Sequence, residues 1–259
     1  MRQIRLFFTA VQFFTRLPIP RWVGFEENWL NHAARYLPLV GLCVGAIAAA
    51  VYAGAAWLFP APLAVLLSTA AGVYVTGAFH EDGFADVCDG FGGGMTAART
   101  LDIMKDSRIG AYGAIGISLL LALKIVTLSQ LPPAGAIAAL LAAHPLSRLM
   151  AVALIWRLDY ARDEGKAKPL AQKISNAAFA VATLTAALPL LAAGALGYLE
   201  WAALGAGLLA SGCAAAWLAR TCVRRIGGYT GDCLGAVQQL SEAMFYLGVV
   251  ASLGHGAWH

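Results

Sequence analysis

Residues 111–156 read AYGAIGISLLLALKIVTLSQL, then Pro132-Pro133, then AGAIAALLAAHPLSRLMAVALIW. Each apolar run has about the 20 residues that a helix needs to cross the hydrocarbon of a bilayer. The two prolines between them mark a tight reversal, because proline is a poor interior residue for either helix. The pattern recurs on both sides. Apolar runs at 37–59, 61–79, 177–198, 201–219 and 236–254 bring the expected spans to seven. The sequence predicts one all-α, polytopic, membrane-embedded domain over 1–259.

Composition leads to the same conclusion. Apolar residues make up 60% of the 259-residue chain and charged residues 12%, whereas a soluble domain carries about 25% charged residues. Mean hydropathy is +0.70. The net charge of +4 is scattered near the spans, which does not suggest nucleic-acid binding. Cys43, Cys88, Cys213, Cys222 and Cys233 form no CxxC pair and no zinc spacing, so no disulfide framework is expected. Cys43 and Cys213 read as packing residues, and a small buried residue also accounts for Cys88. The first 17 residues lack the cleavage pattern of a signal peptide.

Short neutral connections alternate with long basic ones. Pro60-Ala61-Pro62, Pro132-Pro133 and Gly197 to Trp201 are tight, and Glu200 is their only charge. The N-terminal segment, 80–110, 157–176 and 220–235 are long and polar. The positive-inside rule places those four in the cytoplasm, with the N-terminus inside and the C-terminus outside. Residues 4–14 are apolar, too short to span and flanked by Arg2, Arg5 and Arg16. They are expected to form an interfacial helix.

The longest break holds the chemistry. His80-Glu81-Asp82-Gly83-Phe84-Ala85-Asp86-Val87-Cys88-Asp89-Gly90 places three aspartates at i, i+4 and i+7, which is one face of a helix. The second span, continued past Phe79, would carry them just beyond the membrane boundary. Asp102 and Asp106 repeat the i, i+4 spacing on an expected second short helix, among Arg99, Lys105 and Arg108. Carboxylate oxygens suit Mg²⁺ or Mn²⁺, and the basic residues suit a phosphate-bearing substrate. A solvated polar loop is the plainer alternative, but it would not need this register. Positive-inside anchoring equally accounts for any one of the basic residues.

Gly227-Gly228-Tyr229-Thr230-Gly231-Asp232 is a second polar element. Its glycines would let backbone N–H groups approach a phosphate, although a simple loop before a helix fits as well. Lys124, His144 and Arg148 fall inside spans, where ionisable residues are functional candidates. Arg148 is expected to snorkel toward the aspartates. Lys124 has no partner legible in the sequence.

The motif His80-x-Asp82-Gly83-x-x-Asp86-x-x-Asp89-Gly90 and the later Met104-x-Asp106-Ser107-Arg108-x-Gly110 resemble the adenosylcobinamide-GDP ribazoletransferases, also called cobalamin 5′-phosphate synthases. Phe14-Thr15-Arg16-Leu17-Pro18 and Gly227-Gly228-x-Thr230-Gly231-Asp232-x-Leu234-Gly235 carry the likeness to both ends of the chain. Glu81 stands where the family often has an apolar residue, so no metal role is expected of it.

The resemblance implies a Mg²⁺-dependent enzyme of the bacterial inner membrane. It would join adenosylcobinamide-GDP to α-ribazole or its 5′-phosphate and release GMP, in the nucleotide-loop stage of cobalamin assembly. On that reading Asp82, Asp86 and Asp89 hold metal, and Asp106 completes the site as ligand or base. Lys105, Arg108 and Arg148 contact phosphate. Arg16, His80, Gly231 and Asp232 contact substrate. Oligomeric state is left open, a homo-oligomer included.

Two other readings stand beside this one. A CDP-alcohol phosphotransferase also clusters aspartates at a membrane face, but its run continues Asp-Gly-x-x-Ala-Arg, whereas here Asp86 follows Ala85. A transporter would need polar residues deep in several spans.

Overall fold

The computed structural model describes residues 1–24, 26–161 and 173–254. Arg162, Lys166 and Lys168 of the expected cytoplasmic loop lie outside them, as does the C-terminal tail from His255. Chain order is α1 (Arg2–Phe14), α2 (Glu27–Ala33), a 3₁₀ turn (Ala34–Tyr36), α3 (Leu37–Ala55) and α4 (Ala61–Thr76). Then follow α5 (Phe79–Gly93), α6 (Ala97–Ile103), α7 (Ala111–Ser129), α8 (Pro133–Arg157), α9 (Asn176–Ala195), α10 (Trp201–Ile226) and α11 (Gly231–Ser252). The described residues contain no strand, only an isolated bridge between Tyr160 and Tyr229.

All seven expected spans are helical, but not all are simple crossings. Five helical stretches are long and apolar enough to span: Trp29–Ala55, α7, α8, α9 and α10. α4 and α5 qualify only as a pair, and they meet at 91°. The second span therefore does not run on past Phe79 in a straight line. Gly77 at φ 67° and Ala78 at φ 60° both adopt the left-handed conformation, which ends α4 and redirects the chain. α11 is long enough at 22 residues, but Gln238, Gln239, Ser241 and Glu242 interrupt its apolar run. All four are buried within the bundle.

α8 lies at the centre, and 72% of its apolar window is buried. α7 and α9 are peripheral, with 28% of theirs buried. Their outward faces carry Ile115 and Leu119 on α7 and Leu184, Leu188 and Leu191 on α9, exposed apolar side chains that suit lipid rather than water. Cys213 is exposed on α10, and Cys88 packs against Gly116.

The tight connections gather at one end. Leu131, Leu199 and Tyr52 share a core cluster there, and Trp57, Phe59, Tyr198 and Trp201 are exposed around it. Such aromatics favour the headgroup level. The opposite end holds a second core cluster, which joins α1 and α2 to the ends of α8 and α10 and the start of α11. α1 buries Ala10, Val11 and Phe14 against it and leaves Arg2 and Arg5 outward, as an interfacial helix should. This end carries α5, α6 and the polar loops.

Candidate active site

α5 leaves the break at Gly77-Ala78 with its acidic residues near its start. Asp82 is exposed, Asp86 is half-buried and Asp89 is buried. The three follow the helical register that their spacing predicts, but their surroundings differ.

Asp89 is committed to the backbone. Its Oδ2 accepts the N–H of Gly110 at 2.7 Å and its Oδ1 accepts the N–H of Gly113 at 2.8 Å. These donors stand at the start of α7, where N–H groups lack helical partners and the helix dipole favours a negative charge. A Cβ on either glycine would collide with the carboxylate. Asp89 thus ties α5 to α7, and this contact explains the glycine of the Asp106-Ser107-Arg108-x-Gly110 motif.

Asp106 departs from expectation. α6 ends at Ile103, so Asp106 sits in the exposed turn beyond it rather than on a helix with Asp102. It pairs with Arg108 through a 2.6 Å contact, and Nε of Arg108 donates to Oδ1 at 3.0 Å. The Arg108 side chain and backbone N–H hold the Asp106 carboxyl down at about 2, and the pairing raises the Arg108 guanidinium. Lys105, Arg99 and Asp102 are exposed nearby. Among the described residues, no group of three or more His, Cys, Asp or Glu side chains is arranged as a metal cluster. The four expected metal ligands are therefore not assembled. The oxygens of Asp89 serve backbone N–H groups, and Asp106 serves Arg108.

The second polar element does meet α5. Thr230 caps α11 by accepting the N–H of Cys233, and its hydroxyl donates to Asp232 Oδ2 at 3.2 Å. Gly83 packs on the backbone of Asp232, where a Cβ would stand 3.0 Å from its Cα. One turn further along α11, Gly235 packs on the backbone of His80, where a Cβ would lie 3.1 Å from its carbonyl oxygen. Two glycines, one from each helix, thus let the backbones touch and place Asp232 against the turn between Asp82 and Asp86. Gly231 begins the same helix. The preceding loop is held by its neighbour: Tyr229 N donates to Asp159 O at 3.1 Å and Ala161 N to Tyr229 O at 2.9 Å. Arg225 closes the far end of α5 by donating to the carbonyls of Phe91 and Gly94.

Arg16 and His80 flank the helix break. Arg16 N donates to Val75 O at 2.7 Å, and its guanidinium lies over the Tyr74 ring, against Gly77. There it complements the negative end of α4. His80 is buried and stacks on Phe14, with ring centroids 6.1 Å apart.

Arg148 does not reach the aspartates. It is 2% exposed, and its Nη1 donates to His144 O at 3.0 Å. It belongs to a buried polar network built around a residue that the sequence reading passed over, Glu242. Lys124 Nζ lies 2.5 Å from Glu242 Oε1, and His144 Nδ1 lies 3.3 Å from Oε2. Gln238 Nε2 also donates to Oε2, at 3.0 Å. A glutamate in the middle of the 236–254 run was a visible signal, since a carboxylate within a span needs a partner. Lys124 is that partner.

The cobalamin-5-phosphate synthase family model matches residues 6–250. A protein of Leptothrix cholodnii named adenosylcobinamide-GDP ribazoletransferase is 49% identical, over 100% of this chain and 98% of its own length. Proteins of the same name from Shewanella frigidimarina and Vibrio cholerae are 45% and 44% identical, over 97% and 98% of this chain and 96% of their own length. No solved structure matches the chain. From residue 6 to residue 250, through every element that builds the site, the chain belongs to the cobalamin-5-phosphate synthase family.

Proposed function

We propose that this chain is an adenosylcobinamide-GDP ribazoletransferase. It joins adenosylcobinamide-GDP to α-ribazole or its 5′-phosphate, releases GMP, and so completes the nucleotide loop of the cobalamin. The observation that carries this reading is the junction of α5 and α11 in a chain of this family. Two carboxylates a turn apart, Asp82 and Asp86, meet the N-terminus of a helix that bears a third, Asp232.

Release of GMP means that a ribazole hydroxyl attacks the cobinamide-side phosphorus. The bond from that phosphorus to the bridging oxygen breaks, and the oxygen leaves with GMP. Mg²⁺ fits the donors present, because it is usually held by one or two carboxylates, with the remaining positions filled by water and substrate phosphate. Asp82 and Asp86 would hold it, rather than a closed cage of four aspartates. When bound, the ion neutralises the pyrophosphate and stabilises the charge on the departing oxygen.

The chain's own residues do the rest. Lys105 and Arg108, exposed beside α5, bind phosphate oxygens. Asp106 orients Arg108, and its low pKa makes it a poor proton acceptor near neutrality. Asp232 and Gly231 face the nucleoside side of the donor. Arg16 and His80 hold the break from which α5 starts.

The site lies at the same end as Arg220, Arg224 and Arg225, and the positive-inside rule then supports a cytoplasmic-facing site in the inner membrane, with the N-terminus inside. The pairing around Glu242 counts against transport, because Lys124 and Gln238 are engaged by the Glu242 carboxylate rather than left to bind a solute.

The test is GMP release from adenosylcobinamide-GDP and α-ribazole phosphate by detergent-purified protein, with Mg²⁺ or with EDTA. Release that needs both substrates and the metal is the expected result. A folded protein in a competent lipid environment that releases no GMP refutes the reading.

A further inference from the structure

One face of α11 joins the site to the bundle interior. Asp232, Gly235, Gln239 and Glu242 recur at intervals of three or four residues, a single helical stripe. Gly235 touches the backbone of His80. One turn deeper, Gln239 Nε2 donates to Glu81 Oε1 at 2.8 Å. Gln239 Oε1 in turn accepts from Lys124 Nζ at 3.0 Å, and Lys124 pairs with Glu242. A chain of polar contacts therefore runs from a buried ion pair between α7 and α11 to Glu81, the residue before Asp82.

The location makes this chain unusual. Lys124 and Glu242 have side chains only 6% and 2% exposed. Taking two charges into a membrane bundle costs free energy that apolar residues of similar size would not. α5 is also the element most in need of support. It begins after a 91° break, and Ala78 just before it holds a left-handed φ of 60°, a conformation disfavoured for a residue with a Cβ. Irregular backbone in a membrane protein persists where surrounding protein holds it.

We propose that Lys124, Glu242 and Gln239 are positioning residues. They fix the first turn of α5 through Glu81, and so set Asp82 and Asp86 in register with Asp232. Glu81 is the hinge point of this device and not a metal ligand. The proposal builds on the transferase reading, because it assigns the aspartates as the groups being positioned.

Two variants separate positioning from plain stability. Gln239→Leu cuts the bridge to Glu81 and leaves the ion pair intact. Lys124→Met combined with Glu242→Gln removes both charges at similar volume. Each is to be compared with wild type by hydrogen exchange of backbone amides without substrate, by thermal unfolding, and by kcat and KM for GMP release.

For both variants, exchange should rise about tenfold in residues 79–86 and little elsewhere. The protein should remain folded, and kcat should fall about tenfold or more, with KM changed far less. Unchanged exchange in α5, or wild-type kcat in either folded variant, would overturn the proposal. A uniform rise in exchange across all helices would overturn it too, because that marks a structural role only. Should one variant fail to fold, the other decides. Wild-type protein that releases no GMP would refute the transferase reading alone, because the exchange comparison uses no substrate.

Discussion

Asp89 on α5 accepts the backbone N–H of Gly113, 24 residues further on, at 2.8 Å, while its second oxygen takes that of Gly110. Although Asp89 belongs to the same motif as Asp82 and Asp86, its task is to clamp α5 onto the start of α7. Asp89→Asn replaces one acceptor oxygen with an amide and faces a backbone N–H with a donor. We expect a stability loss of about 1–3 kcal/mol, the cost of unsatisfied buried groups, seen as a lower thermal unfolding midpoint in detergent. An unchanged midpoint would show that the clamp contributes little.

Asp82 should behave in the opposite way. Its side chain is exposed, so Asp82→Asn removes charge where no packing depends on it. We expect GMP release to fall by at least about a hundredfold with the unfolding midpoint unchanged, the pattern of a lost electrostatic contact to the transition state. Asp86→Asn should lose turnover similarly. Retained activity in either variant would remove that residue from the proposed metal site.

The glycine contact between α5 and α11 offers a steric test. A methyl group at Gly83 or Gly235 would stand 3.0–3.1 Å from the facing backbone, closer than ordinary van der Waals contact, and backbone cannot swing aside as a side chain can. Gly83→Ala and Gly235→Ala should each cost about 1–3 kcal/mol and reduce turnover, because the helices separate where Asp232 meets the aspartate turn. Gly205→Ala, at a position with open space around it, is the matched control and should change neither quantity.

The Asp106–Arg108 pair makes a prediction about pH. The folded-state pKa of Asp106 is depressed from 3.8 to about 2. The pair is therefore fully formed above the ordinary carboxylate value and is lost as pH falls from there through about 2. Asp106 therefore stays ionised at and well below neutral pH. Asp106→Asn should lower turnover through a misplaced Arg108 and leave the acid limb of the pH–rate profile where it is. A shifted acid limb would make Asp106 a titrating catalytic group after all.

The fold was largely legible because span length is a local property. Twenty apolar residues between proline or glycine breaks must form a helix in lipid wherever their neighbours lie, and 111–131 and 134–156 coincide closely with α7 and α8. The 61–79 run was less tractable. Its apolar character continues to Phe79, but the left-handed pair Gly77-Ala78 turns the chain, and nothing in an alanine signals a positive φ. The register of the α5 aspartates was legible in their spacing, and their contacts were less so. Asp82, Asp86 and Asp89 share one spacing, yet Asp89 is a clamp because Gly110 and Gly113 happen to meet it. Arg148 was expected beside them and instead lies buried near His144 and Glu242.

The sequence by itself determined that this chain is a helical membrane protein with its clustered aspartates at one end of the bundle. Hydropathy and charge alternation act along the chain and need no partner. It also determined the family, through motifs in fixed order. Only the tertiary structure decided which aspartates stay open to solvent, that Asp232 abuts Gly83, and that Lys124 pairs with Glu242 across more than a hundred residues of sequence. Each of these depends on which helix faces meet, and that is set by packing between distant segments, glycine on backbone and charge against charge, rather than by spacing within one segment.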